Sequence, residues 1–274
     1  MEVFKYNILS LFISTILTFI GIPFIYNMLK DNNCTCLNYK KEEIPTSMGL
    51  IFVIVQTFTV GLISFFIKES IHHYTLLYLV GLIFIALAGL FDDLVGDKFV
   101  KGFKGHIKSF FKGTLTSGGL KAGIGFLVSL LISIYISKNV VEIIVNTLVI
   151  SLFTNLLNLF DLRPGRAGKV FILMSIILFI TTSTRKFDFI LYSFIGILIR
   201  YLPIDLKAEA MMGDIGSNTL GISLGSYCAM THDLKSKIIY LIVLVCIQVI
   251  AEFVSFSKII EQNRFLSFFD NLGR

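Results

Sequence analysis

Residues 74–93 read YTLLYLVGLIFIALAGLFDD, an uncharged apolar run closed by two adjacent carboxylates, Asp92 and Asp93. A membrane-crossing helix needs about 20 apolar residues, so 74–91 reads as a span that ends where the aspartates begin. Two further clusters repeat this arrangement. Asp161 closes the run in NLLNLFDLRPGRAGK, and Asp214 stands at the head of the next run in MMGDIGSNTLG. A carboxylate near lipid is costly and usually has a partner, a metal or a chemical task.

The rest of the chain supports a membrane protein. Of 274 residues 55% are hydrophobic and 15% charged, and mean hydropathy is +0.83. Soluble domains carry about 25% charged residues. We read an all-α polytopic integral membrane protein, one domain over 1–274, with about nine transmembrane helices. The apolar runs are roughly 7–29, 48–67, 74–91, 118–137, 140–159, 168–183, 187–203, 213–230 and 236–256. The first run is too long for the apolar region of a secretion signal and reads as a retained span.

Orientation follows from basic residues. Alternate loops, at about 30–47, 92–117, 160–168 and 203–213 with the 257–274 tail, hold with the flanking Lys121, Lys169 and Arg200 17 of the 24 Lys and Arg. The positive-inside bias makes that side cytoplasmic, with the N-terminus outside and the C-terminus cytoplasmic. The aspartates played no part in this assignment. Asp92, Asp93, Asp161 and Asp214 nevertheless all fall on the cytoplasmic side, as one assembled site requires.

The net charge of +6 serves topology and anionic lipid, and no nucleic-acid-binding signature accompanies it. Cys34 and Cys36 are too few for a structural zinc site. Lys98, Lys101, Lys104, Lys108 and Lys112, with Phe99, Phe103, Ile107, Phe110 and Phe111 between them, suit an amphipathic segment on the headgroup layer.

The carboxylates suit magnesium, which takes one or two of them together with waters and substrate phosphates. Asp92 and Asp93 repel each other unless a cation is present. Asn155, Asn158 and Asp161, at three-residue steps, share one side of a helix end, and amides there can orient a phosphate or a sugar hydroxyl. Arg163, Arg166 and Lys169 add phosphate-type donors, although topology also requires cations there. Gly213 and Gly216 allow close backbone approach, and the free N–H groups of the helix that starts at Asp214 could bind an anion.

Together these strings resemble the polyprenyl-phosphate N-acetylhexosamine-1-phosphate transferases, in matching order over most of the chain. Lys41, Pro45 and Thr46 resemble the family's first cytoplasmic loop, and Asp92-Asp93 its Asp pair. Asn155, Asn158 and Asp161 match its Asn-x-x-Asn-x-x-Asp. Gly213-Asp214-Ile215-Gly216-Ser217 matches its Gly-Asp-x-Gly-Ser.

The resemblance implies that a polyprenyl phosphate attacks the β-phosphate of a nucleotide sugar with Mg2+, in a bacterial cytoplasmic membrane. It casts Asp92, Asp93 and Asp214 as catalytic, with Asp214 and Asp92 as metal ligands. Lys41, Asn155, Asn158, Asp161, Gly213 and Ser217 would bind substrate, with Arg163 and Arg166, which the family's loop lacks, added as substrate-binding candidates on their own chemistry, and a homodimer is compatible with it.

The sequence departs from the family at Pro164, which stands where a second Asp belongs, and at Met48, which replaces a glycine. A non-catalytic relative that binds lipid phosphate or organises an envelope complex is the alternative reading. A transporter would place its ionisable residues near the bilayer midplane.

Overall fold

The computed structural model describes residues 2–67, 71–96, 109 and 113–274, and 79% of it is helical. The lysine-rich stretch 98–108 and Lys112 lie outside the described residues. Among the described residues nine long helices coincide with the nine apolar runs: α1 Glu2–Asp31, α2 Leu50–Phe66, α3 His72–Val95, α4 Ser117–Ile136, α5 Val140–Phe160, α6 Arg166–Thr181, α7 Asp188–Leu206, α8 Gly213–Thr231 and α9 Leu234–Phe253. Two short helices follow, α10 Phe256–Gln262 and α11 Arg264–Asn271.

Six of these helices, α1, α3, α4, α5, α7 and α9, are long and apolar enough to cross a bilayer, where nine spans were expected. The other three differ for identifiable reasons. Helices α2 and α6 have 17 and 16 residues. At 1.5 Å per residue they reach about 25 Å, short of a hydrocarbon core of about 30 Å. Helix α8 is long enough but polar, carrying Ser217, Asn218, Thr219, Ser223 and Ser226.

That polarity is tolerated because α8 meets almost no lipid. It is buried from Ile215 to Ala229, and helices α2 to α7 all pack against it. Gly221 and Gly225 lie against the α5 backbone at Thr154 and Ile150, where a Cβ has no room. This small-xxx-small contact lets two membrane helices approach closely. Buried polar side chains also join helices: Gln56 donates to the Tyr78 hydroxyl at 3.0 Å, and Tyr78 pairs with Ser223 Oγ at 2.7 Å.

The outer helices present the opposite pattern. Helices α1, α4 and α9 turn Phe12, Phe19, Leu131 and Ile242 away from the bundle. Inward, α1 presents Ser10, Ser14 and Thr18, all buried, and the Thr15 hydroxyl donates to the Gly196 carbonyl of α7 at 3.1 Å.

The first loop holds a feature that the sequence reading did not anticipate. Strands β1 Thr35–Leu37 and β2 Glu43–Pro45 pair antiparallel, Cys36 opposite Ile44. The Asn38 carboxamide closes their turn by accepting from the Lys40 and Glu42 N–H groups, and it donates to the Ala208 carbonyl at 3.0 Å. Met211 N–H donates to Pro45 O, Met48 N–H to Met211 O and Gly49 N–H to Met212 O. The hairpin and the start of α2 are thereby bonded to the segment that leads into α8.

Candidate active site

Helices α3, α5, α7 and α8 bring their ends together around a cleft of about 590 Å³. Asp92, Asp93, Asp161, Asp205 and Asp214 line it, with Arg163, Pro164 and Gly213 among the other wall residues. The four aspartates expected to share one site therefore do so, and Asp205 joins them.

Asp93 has a defined task. Its carboxylate accepts the backbone N–H groups of Asp214 at 2.8 Å and Ile215 at 3.3 Å, and the Ser47 hydroxyl at 2.9 Å. The first N–H groups of a helix have no partner within it and favour negative charge. The anion at the start of α8 is thus the protein's own Asp93, and those N–H groups are not open to a substrate anion as expected. Asp93, expected to be catalytic, thus bonds the start of α8 and also lines the cleft.

The backbone at this junction requires glycine. Gly213 has φ +70°, and a Cβ there would run into the Asp93 carboxylate. Gly49, before α2, faces Gly216 so closely that a Cβ on Gly49 would strike the Gly216 backbone.

Lys121 is the residue that the sequence reading missed. Its ammonium lies 2.6 Å from Asp214 Oδ2 and 2.8 Å from Asp92 Oδ2, with all three side chains largely buried. The expected metal ligands Asp92 and Asp214 are thus joined by a lysine. The signal was present: Lys121 falls inside the apolar run 118–137, and a cation in such a run needs a partner. Counting it only as a topological charge concealed that need.

Asp161 caps the end of α5 beside Asp205. Burial raises its carboxyl well above the usual value of 3.8, and the negative charges of Asp205, Asp214 and Asp93 raise it further. Among the described residues no basic side chain pairs with it. Asp205 accepts the Gly165 N–H at 2.9 Å, which holds the turn between α5 and α6, where Gly165 has φ +75°.

Of the other expected substrate-binding residues, Arg163 and Gly213 line the cleft and several more do not. Asn155 donates to Gln248 Oε1 of α9 at 2.7 Å, outside the cleft wall. Three-residue steps on a helix advance by 300° rather than a full turn, so Asn155 has rotated away from Asp161. Asn158 accepts from the buried Ser217 hydroxyl at 3.2 Å, tying α5 to α8. Arg166 is 3% exposed and binds Asp270 through two bonds of 2.8 Å. Lys41 is exposed in the hairpin turn and absent from the wall. Arg163 is in the wall and pairs with Glu261 at 3.0 Å.

The donor set suits a hard cation. The carboxylate oxygens of Asp92, Asp161 and Asp214 are the ligand type that magnesium takes, and Asp161 has no cationic partner among the described residues. No group of three or more acidic, His or Cys side chains converges on a metal position among the described residues. Magnesium requires only one or two protein carboxylates when a substrate phosphate completes its shell.

A phospho-N-acetylmuramoyl-pentapeptide-transferase from Fervidobacterium nodosum is 28% identical over 221 residues, which cover 74% of this chain. The matched part is 64% of that relative's length. The family model for glycosyl transferase family 4 matches residues 75–232, from α3 through α8, and so takes in Asp92, Asp93, Lys121, Asp161, Asp205 and Asp214. With more than half of its length matched, and with the helices that build the acidic cleft inside the match, this polytopic membrane chain belongs to glycosyl transferase family 4.

Proposed function

We propose that the protein transfers a sugar-1-phosphate from a nucleotide amino sugar, UDP-linked, to a polyprenyl phosphate, as the first step of a cell-envelope glycan pathway. The observation that carries this reading is the cleft itself. Asp92, Asp93, Asp161 and Asp214, from three helix ends far apart in sequence, line one cavity large enough for a diphosphate. The excess of Lys and Arg in the loops on its side supports a cytoplasmic cleft, in a bacterial cytoplasmic membrane.

In this reaction a phosphate oxygen of the lipid attacks the β-phosphorus of the nucleotide sugar. The bond to the nucleoside monophosphate breaks, leaving a lipid-diphosphate-sugar. Asp214 and Asp92 would hold magnesium, with Asp161 as a further carboxylate at the diphosphate. The metal supplies charge neutralisation of the diphosphate and the leaving group. Lys121, 2.8 Å from Asp92 Oδ2 and 2.6 Å from Asp214 Oδ2, offsets their mutual repulsion and holds the two carboxylates close together. Asp93 fixes the start of α8, so that Asp214 projects into the cleft at a constant position. Asp205 holds the Gly165 turn, and with it Pro164 and Arg163 of the wall. Catalysis of this kind is largely positioning and charge stabilisation.

The test is direct. Purified protein with polyprenyl phosphate, Mg2+ and a panel of UDP-sugars should release UMP, and Asp214→Asn should abolish release while the protein remains folded. Folded protein that turns over no sugar in a broad panel would instead favour a non-catalytic relative that binds lipid phosphate.

A further inference from the structure

Residues 256–274 lie outside the family match, yet they are bonded to the cleft wall. Asp270 receives both Arg166 bonds, and Arg166 also donates to Ser257 Oγ at 2.9 Å. Lys169 Nζ donates to the Asp270 carbonyl at 2.7 Å. Arg274 Nε donates to the carbonyl of Pro164, a cleft-wall residue, at 2.8 Å.

The opposite side of the same helix is apolar and uncovered. Phe265, Phe268 and Phe269 of α11, and Leu272 immediately after it, are 70%, 63%, 50% and 54% exposed. Their i, i+3, i+4, i+7 spacing makes one stripe. At about 100° per residue, Asp270 points roughly opposite the centre of that stripe. One face of α11 therefore grips the protein while the other faces outward.

The level of this helix indicates what covers the stripe. Helix α10 starts at Phe256, just after α9 ends at Phe253, and the Phe256 ring lies 5.3 Å from that of Phe160, the last residue of α5. Both α5 and α9 are long and apolar enough to span. The segment thus leaves the bundle where two such helices end, at the depth where hydrocarbon gives way to headgroups. Exposed Lys258 and Arg264 suit lipid phosphates at that depth.

We propose that residues 256–274 form a bilayer-surface strap, in which the apolar stripe of α11 sits in the lipid headgroup layer and Asp270, on its other face, holds the cleft wall at Pro164–Arg166. The partner is a phospholipid surface. Contact with it fixes the strap, and the strap fixes the wall.

The chain contains no Trp, so Phe268→Trp gives a single reporter in the full-length protein. In vesicles of phosphatidylcholine and phosphatidylglycerol, acyl-brominated lipid should quench it at least half as strongly as it quenches Ile242→Trp on α9, and aqueous iodide should have little effect. Quenching by iodide alone would put the stripe in water, and protection from both quenchers would put another protein, such as a second copy, over it. Either result overturns the proposal. In the same vesicles, Asp270→Asn and the double variant Phe265→Asp/Phe269→Asp should each speed amide hydrogen exchange across residues 162–169 about tenfold. Unchanged exchange in both, with lipid quenching intact, would overturn the hold on the cleft wall.

Discussion

The Asp93 carboxylate accepts the backbone N–H of Asp214 at 2.8 Å, so two acidic residues of one site are joined by a bond that needs only one of them to be charged. The bond makes Asp93 the anion at the start of α8. Asp93→Asn retains an acceptor but loses the charge, and Asp93→Ala loses both. Hydrogen bonds to charged groups contribute about 1.5–3 kcal/mol each. Thermal unfolding in detergent should rank wild type above Asn above Ala. Identical curves for all three would show that the cap contributes nothing.

Lys121→Met leaves Asp92 and Asp214 facing each other without their shared cation. Loss of about 2 kcal/mol of charge stabilisation in the transition state corresponds to a rate about thirtyfold lower. Two carboxylates freed of a competing ammonium should also bind a divalent cation more tightly. A magnesium titration of UMP release should therefore show lower turnover with a lower half-saturating concentration. A higher half-saturating concentration would mean that Lys121 assists the metal rather than competing with it.

Gly213→Ala forces a side chain into a left-handed conformation and against the Asp93 carboxylate. The backbone cost alone is about 1 kcal/mol, and displacement of the cap adds to it. We expect a lower melting temperature and a fall in activity at least as large as that of Asp93→Ala. Wild-type behaviour would mean that the α8 start can rearrange freely.

The two asparagines should behave differently. Asn155 bonds Gln248 at an exposed position, so Asn155→Ala should change turnover by no more than about twofold. Asn158→Ala removes the bond from the buried Ser217 hydroxyl that ties α5 to α8, and although that hydroxyl keeps the Gly213 carbonyl at 3.3 Å, loss of the tie should cost about 0.5–1.5 kcal/mol. Steady-state kinetics and melting curves of the pair separate them, and equal effects would contradict the placement.

Acid should release the 256–274 segment. Burial raises the Asp270 carboxyl, but hydrogen bonds and charge from Arg166, with Arg274, outweigh it and hold the group below the usual 3.8. A lowered folded-state value means that the docking contribution is complete above about 3.8 and is lost as pH falls through the lower folded value. Limited proteolysis should find the segment protected at pH 5 and cleaved progressively faster in strong acid. In Asp270→Asn the pH dependence should disappear.

Much of this fold was legible because lipid imposes a simple rule on sequence. The runs at 74–91 and 140–159 became α3 and α5, and the aspartates at their ends met in one cleft. Helix α8 was found as a run, but its burial was not legible. Its serines and glycines are explained by neighbours that only folding supplies. The site was legible in its carboxylates and less so in its cations. Lys121 and Arg166 carry identical formal charge on the sequence, but one bridges Asp92 and Asp214 while the other is spent on Asp270. Partners for Asp270 and Asn155 lie about a hundred residues away, beyond any local pattern.

The polar, buried character of α8 has a consequence for how the protein is made. A segment with Ser217, Asn218, Thr219, Ser223 and Ser226 gains little by leaving the translocation channel alone. Helices α3 and α5, which pack against it, are synthesised earlier. Insertion of α8 is therefore expected to wait for an assembled groove of earlier helices, and a change that weakens α5, such as a charge at Ile150, should leave α8 stranded at the membrane surface and the carboxylate of Asp214 without a cleft.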